Sequence, residues 1–272
     1  MSDQGQLRII SVNNRRIVEA RKLGQRKQRE SQRRFLVEGL QLVHMALDAR
    51  RIPLEVFYCP EQFVGPEAPT LLERARAAGA ELVAVSAQVM ASLCERDLPQ
   101  GLVATFALFE TQLDDLRLTG TELVVVVDRL QDPGNLGTLI RTADAVGAAA
   151  VALIEPCVDP FDPKTVRGTM GSLFNLPLVR AQDVGALFTY LRQQGLRAVG
   201  ADAHLGVAWG QGLWRGGCAL VLGNEARGLS ADVRDYIEHW AFLPMVGGAE
   251  SLNVSVAGGV LMYAWLRENM KQ

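Results

Sequence analysis

The sequence predicts an α/β protein in two parts, a smaller N-terminal α/β unit and a larger C-terminal domain built on a parallel sheet. Three observations carry this. Residues 123–127 are Leu-Val-Val-Val-Val, the continuous apolar run that a parallel strand buried on both faces requires. Comparable runs recur at 149–154, 197–201 and 218–222, with helical stretches between them, as crossover-connected parallel strands demand. Ahead of them, residues 111–121 are polar and contain Asp114, Asp115 and Gly120, which marks a boundary between an N-terminal part, residues 1–112, and a C-terminal domain, residues 121–272.

Each element follows from its local pattern. Residues 17–29 lack proline and have few β-branched side chains, so a helix is expected. Residues 35–39 read as a short strand or the start of a helix. Apolar positions at 40, 42, 43, 46 and 47 predict a helix over 40–49. A buried strand follows at 56–59, and a loop at 60–69, where three prolines and a glycine fall together. A helix over 71–78 stops at Gly79, with a strand at 81–85, a helix at 87–93 and a strand at 101–109 after it. In the second part a further short strand is expected near 242–245.

Composition narrows the class. Hydrophobic residues make up 49% and charged residues 21% of the 272, which fits a soluble globular chain. No apolar run approaches the roughly 20 residues that span a bilayer, and residues 1–10 lack the apolar stretch of a leader peptide; a cytoplasmic protein with no membrane partner is expected. Cys59, Cys94, Cys157 and Cys218 have neither zinc-ligand spacing nor the pattern of a disulfide framework, so no metal is expected. The net charge of −2 conceals an asymmetry: residues 8–34 hold ten bases and only two acids, Glu19 and Glu30, a local +8 that leaves −10 for the rest. Such a basic end suits a polyanion, nucleic acid first. Its bias to arginine favours RNA, because guanidinium forks onto phosphate and stacks on bases. Arg15, Arg16, Lys22, Lys27, Arg29 and Arg33 are the expected RNA contacts.

Three motifs in the second part sit where strands end, the edge at which open α/β sheets bind ligands. In residues 128–147, Gly134 and Gly137 permit a tight turn into a helix, Asn135 can cap it, and Arg141 sits among Leu139, Ile140, Ala143 and Val146, where an apolar helix face has no need of a cation. In residues 219–230, a buried strand ends in Gly223 and is followed at once by Asn224 and Glu225, a poor choice for mere packing; Ser230 can cap the next helix. In residues 242–257, an apolar strand stops at Pro244, and Ser251, Asn253 and Ser255 open an apolar helix whose small polar start can cradle a ligand with backbone N–H groups.

In this order the motifs resemble those of the SpoU (TrmH-like) RNA ribose methyltransferases of the SPOUT superfamily. The matching residues are Asn135, Gly137, Arg141 and Ala143; Gly223, Asn224, Glu225, Gly228 and Leu229; and Pro244, Met245, Ser251, Leu252, Asn253, Val254, Ser255 and Ala257. Arg33 and residues 35–39, Phe-Leu-Val-Glu-Gly, are similar to the start of that family's N-terminal substrate-binding domain and lean toward its ribosomal-RNA branch. The resemblance implies a trefoil-knotted C-terminal sheet, a homodimer, and S-adenosyl-methionine (AdoMet) as cofactor. It implies that Leu222, Gly223, Asn224, Leu243, Met245, Ser251 and Leu252 face the cofactor, and that Asn135, Arg141, Glu225, Ser251 and Asn253 form the catalytic site. The implied reaction is 2′-O-methylation of a ribose in structured RNA, 23S ribosomal RNA before transfer RNA. Arg141 would act as general base or, equally, bind a phosphate and stabilise the developing alkoxide. Ala226 departs from the glycine of many relatives.

Other readings make distinct demands. A nucleotide-binding dehydrogenase would exploit the glycine-rich turn at 132–137, but the spacing is not that of a dinucleotide fingerprint. A non-catalytic RNA-binding or assembly protein would have no use for Asn135, Arg141, Glu225 and Asn253 together. A methylase protecting ribosomes from an antibiotic would share the chemistry and differ only in its target nucleotide.

Overall fold

The structure, a computed structural model, describes residues 8–95, 100–225 and 227–270. The variant position Ala226 lies outside the described residues. The chain forms two compact units. The first comprises the described residues up to Phe109 together with Asp159–Phe174, and the second comprises Glu110–Val158 and Asn175 onward. The expected single cut within 111–121 differs from this partition, because a segment from the middle of the chain returns to the first unit.

The first unit contains α1 (Arg15–Lys22), α2 (Arg26–Gln32), β1 (Arg34–Glu38), α3 (Leu40–Asp48), β2 (Glu55–Tyr58), α4 (Ala68–Ala77), β3 (Glu81–Ala84), α5 (Ala87–Leu93) and β4 (Leu102–Ala107). The four strands lie in the order β1-β4-β2-β3, with only β2 and β3 parallel. Alternation along β1 sends Leu36 to one face and Phe35 to the other. Leu36, Phe57, Val83 and Val103 meet Ile17 and Leu23 of the N-terminal helical segment and Val89 and Met90 of α5 in one core. On the opposite face Phe35 packs on Phe106 at 5.8 Å and on Phe161 at 4.8 Å, and Phe106 on Phe174 at 5.3 Å. Phe161 and Phe174 belong to the returning segment, so aromatic packing is one reason it joins this unit.

The helix expected over 17–29 is two helices. Leu23 turns inward and is fully buried, Gly24 follows, and α2 restarts after Gln25. That break aims Arg29 into the interior, where only 2% of it is exposed. Its guanidinium meets Asp159 at 2.8 Å and Asp162 at 3.6 Å and donates to the Leu23 carbonyl at 2.8 Å.

The second unit contains β5 (Leu123–Asp128), α6 (Pro133–Ala145), β6 (Ala150–Ile154), β7 (Leu178–Ala181), α8 (Val184–Gln193), β8 (Arg197–Ala201), β9 (Val207–Ala208), β10 (Cys218–Leu222), α9 (Ala231–Arg234), β11 (His239–Phe242) and α10 (Val254–Asn269); α7 (Pro163–Gly168) belongs to the first unit. Its seven strands run in the order β7-β6-β5-β10-β8-β11-β9, and every named pairing is parallel. β5, β6 and β10 are buried along their whole length, as their unbroken apolar runs predict. The strand expected at 242–245 lies at 239–242, because Leu243 and Met245 are apolar for a different reason, given below. β7 was not expected. Arg180 interrupts its apolar pattern and finds carboxylates at Glu110 and Glu155. Among the described residues no helix is long and apolar enough to cross a membrane.

Candidate active site

Three strand ends bring the three motifs together. α6 begins just beyond β5, with Asp132 capping it: its carboxylate accepts the Asn135 N–H at 2.7 Å. Asn135 is therefore not the cap. It sits in the first turn with its amide free to point across the sheet edge. Its Nδ2 donates to Glu225 Oε1 at 2.8 Å, and its Oδ1 accepts from Asn253 Nδ2 at 2.9 Å. Asn253 caps α10, accepting the Ser255 N–H at 2.9 Å and the Ser255 hydroxyl at 2.6 Å. Every member of this chain of amides fixes the orientation of the next, because donor and acceptor ends of Asn135 are both committed. The result is one polar cluster, Glu225–Asn135–Asn253–Ser255, assembled from residues up to 120 positions apart.

Beside it lies a cavity of about 300 Å³ at the carboxyl ends of β8, β10 and β11. That volume is at the lower end for small-molecule sites. Leu222, Leu243, Ala241 and Leu261 supply apolar wall, and Asn224, Glu225 and Ser251 supply polar edge. All seven expected cofactor residues, Leu222, Gly223, Asn224, Leu243, Met245, Ser251 and Leu252, line it. Gly223 has no room for a side chain: a Cβ would come within 2.4 Å of the Gly228 backbone. The loop after β10 thus folds back on itself, and its backbone forms part of the wall. The apolar slot with polar groups at one edge fits a ligand that is part aromatic base and part charged chain. Among the described residues no group of His, Cys, Asp and Glu could hold a metal ion.

Arg141 stands apart. It is exposed and has no hydrogen-bond or ion-pair partner among the described residues. It shares one side of α6 with Thr138 and Thr142, lying within about 60° of Thr138 around the helix. That side adjoins a shallow groove formed with Val256, Gly259, Val260 and Tyr263 of α10.

The basic segment divides sharply. Arg15, Lys27 and Arg33 are exposed and make no direct ion pair among the described residues. Lys22 pairs with Glu19 on the surface at 2.9 Å, a contact too weak and screened to withhold it from phosphate. Arg16 bridges Glu55 and Glu81 and braces the edge of the sheet. Arg29, expected on an RNA-facing surface, is instead the buried cation described above and cannot reach a solvent-borne ligand without unfolding its surroundings.

Sequence reasoning missed several site residues. Asp202, Ala203 and His204 line the cavity after β8; the signal was there, since Asp202 follows an apolar strand much as Asn224 follows β10. Ser255 belongs to the amide cluster rather than merely opening α10.

Comparison with known proteins identifies the family. Residues 122–263 match the SpoU rRNA Methylase family, and residues 14–104 match the MRM3-like substrate binding domain. The chain is 33% identical over 255 residues to the 23S rRNA (guanosine(2553)-2'-O)-methyltransferase of Bacillus subtilis, covering 94% of this chain and 97% of that one. An AdoMet-bound rRNA methyltransferase from Sinorhizobium meliloti is 32% identical, with a TM-score of 0.88 over 98% of this chain and 100% of that one. The SpoU methyltransferase AviRb from Streptomyces viridochromogenes, solved with AdoMet, is 29% identical, with a TM-score of 0.86 over 94% of this chain and 98% of that one.

Proposed function

The chain belongs to the SpoU rRNA methylase family, and from that premise we propose that it transfers the methyl group of AdoMet to a ribose 2′-hydroxyl in ribosomal RNA. The observation that carries this reading is the convergence of Asn135, Glu225 and Asn253 beside a cavity whose wall Glu225 shares. AdoMet, when bound, supplies an electrophilic sulfonium methyl. Leu222, Leu243 and Leu261 would take its base, and the loops ending in Asn224 and Ser251 would hold its polar parts. The residues present must then hold a weak nucleophile in line with that methyl: its oxygen would gain the methyl carbon as the carbon–sulfur bond breaks, the neutral thioether would leave, and the hydroxyl proton would pass to solvent water. Asn135 and Asn253 orient the ribose at the cavity mouth, and holding reactants in line removes much of the entropic barrier. Arg141 keeps its own proton, as guanidinium does in proteins, and acts by binding a flanking phosphate and stabilising the developing alkoxide.

Arg15, Lys22, Lys27 and Arg33 give the first unit its RNA affinity, with 23S ribosomal RNA favoured by the substrate-binding match. The active form is a homodimer. Val256, Val260 and Tyr263 on α10 are 52%, 36% and 53% exposed and form an apolar stripe that a second copy would cover. Seating it there brings α6, with its free Arg141, to the interface. The enzyme works in the cytoplasm, where its RNA substrate lies. The sheet is trefoil-knotted, a reading supported by β10 inserting between β5 and β8, two strands that precede it in the chain. The test is equilibrium binding of AdoMet against NAD, followed by methyl transfer onto total RNA. Binding of AdoMet alone and label in ribosomal RNA support the proposal; binding of NAD alone overturns it.

A further inference from the structure

We propose that Asp128 and Arg129, at the carboxyl end of β5, are positioning residues that hold the Glu225 loop and the cavity wall in their reactive arrangement. The inference rests on the methyltransferase reading above. Asp128 is 1% exposed. Its Oδ2 accepts from both the backbone N–H and the hydroxyl of Ser230, each at 2.7 Å, and its Oδ1 accepts from Arg129 Nη1 at 3.1 Å. The Arg129 guanidinium also donates to the Ser230 hydroxyl and clasps Asp232 through Nη1 at 3.0 Å and Nη2 at 2.8 Å. Its carbonyl oxygen accepts from Asn224 Nδ2 at 3.1 Å.

One dipeptide therefore grips both ends of the loop, Asn224 at its start and Ser230 at its finish. Between them, Asn224 and Gly228 exchange two backbone hydrogen bonds, at 3.0 and 2.8 Å, which tie the two arms of the loop together. That loop carries Glu225 to Asn135 and Gly223 and Asn224 to the cavity. The arrangement has costs that packing alone does not require. A buried carboxylate is expensive unless fully bonded. Arg129 adopts φ 52°, a left-handed conformation uncommon outside glycine. The bonds to Asp128 and Arg129 are charge-assisted, the strong kind, and the guanidinium holds the Asp232 carboxyl well below the usual carboxylate range. A displacement of about 1 Å at such a loop is enough to impair in-line chemistry.

The test separates positioning from folding. Arg129→Gly suits the left-handed backbone without strain, retains the carbonyl facing Asn224, and removes the whole side chain with its guanidinium. Its thermal unfolding midpoint should fall, because Asp128 loses an ionic partner, but should stay well above the assay temperature. Its Kd for AdoMet should rise roughly tenfold, and kcat should fall by a similar factor, as loss of a charge-assisted bond implies. Arg129→Lys should restore part of both. Asp128→Asn should behave like Arg129→Gly or worse; if it does not fold, the two Arg129 variants decide. Wild-type Kd and kcat in Arg129→Gly would overturn the inference, as would a loss that disappears on cooling along with the instability. A wild-type protein that binds no AdoMet would instead overturn the reading on which it rests.

Discussion

At the scale of single residues, two arginines of similar appearance in the sequence have opposite duties. Arg29 is enclosed by Asp159, Asp162 and a carbonyl, and removing one partner of a buried pair typically costs about 3–5 kcal/mol. Arg29→Ala should therefore lower the urea midpoint by that equivalent, while Lys27→Ala should leave stability within about 0.5 kcal/mol. Equal stability of the two variants would contradict the assignment. Arg141 has no partner among the described residues, so Arg141→Ala should keep AdoMet binding and cut kcat by at least about a hundredfold, the scale of a lost transition-state donor. Undiminished transfer would end its catalytic role. Neither duty was legible locally. The carboxylate partners of Arg29 lie 130 or more positions away, whereas Arg141 stands out only as a cation with no structural reason to sit beside Leu139 and Ile140.

At the scale of elements, the strands buried on both faces are readable because nothing but an apolar run survives there: β5, β6 and β10 lie within a residue of expectation. β7 was hidden by Arg180, whose charge is answered by carboxylates far along the chain. Leu243 and Met245 suggested strand because a cavity wall and a sheet core make the same demand for apolar side chains. The site was legible wherever a polar residue follows a buried strand directly, which found Asn224 and Glu225 but was not applied to Asp202. The cap of α10 is not readable from the sequence because Ser251 and Asn253 are both good caps, and only the backbone turn decides between them. The exposed stripe on α10 has its own consequence. Val256→Glu together with Tyr263→Glu should convert dimer to monomer in sedimentation without lowering the unfolding midpoint of the isolated protomer; an unchanged mass would place the interface elsewhere.

At the scale of the whole molecule, charge governs both association and stability. A basic N-terminal segment of +8 in a chain of net −2 should make RNA affinity fall steeply with salt, and reversing Arg15, Lys27 and Arg33 to glutamate should flatten that slope. Stability has an alkaline limit as well. Burial pushes the Cys157 and Cys218 thiols from the ordinary 9.0 up to about 12. Because the folded state keeps those protons longer than the unfolded chain, their contribution is intact below 9.0 and is lost as pH climbs toward about 12. Unfolding in urea at rising pH should show this decline, and Cys218→Ala should make it shallower. The reaction itself is tested most directly by incubating the protein with methyl-labelled AdoMet and 23S ribosomal RNA, then hydrolysing the RNA with alkali. The expected result is label in a single alkali-resistant dinucleotide, which only a 2′-O-methyl ribose produces, and none with Arg141→Ala. Label recovered on a base, or found in transfer RNA while ribosomal RNA stays unlabelled, would contradict it.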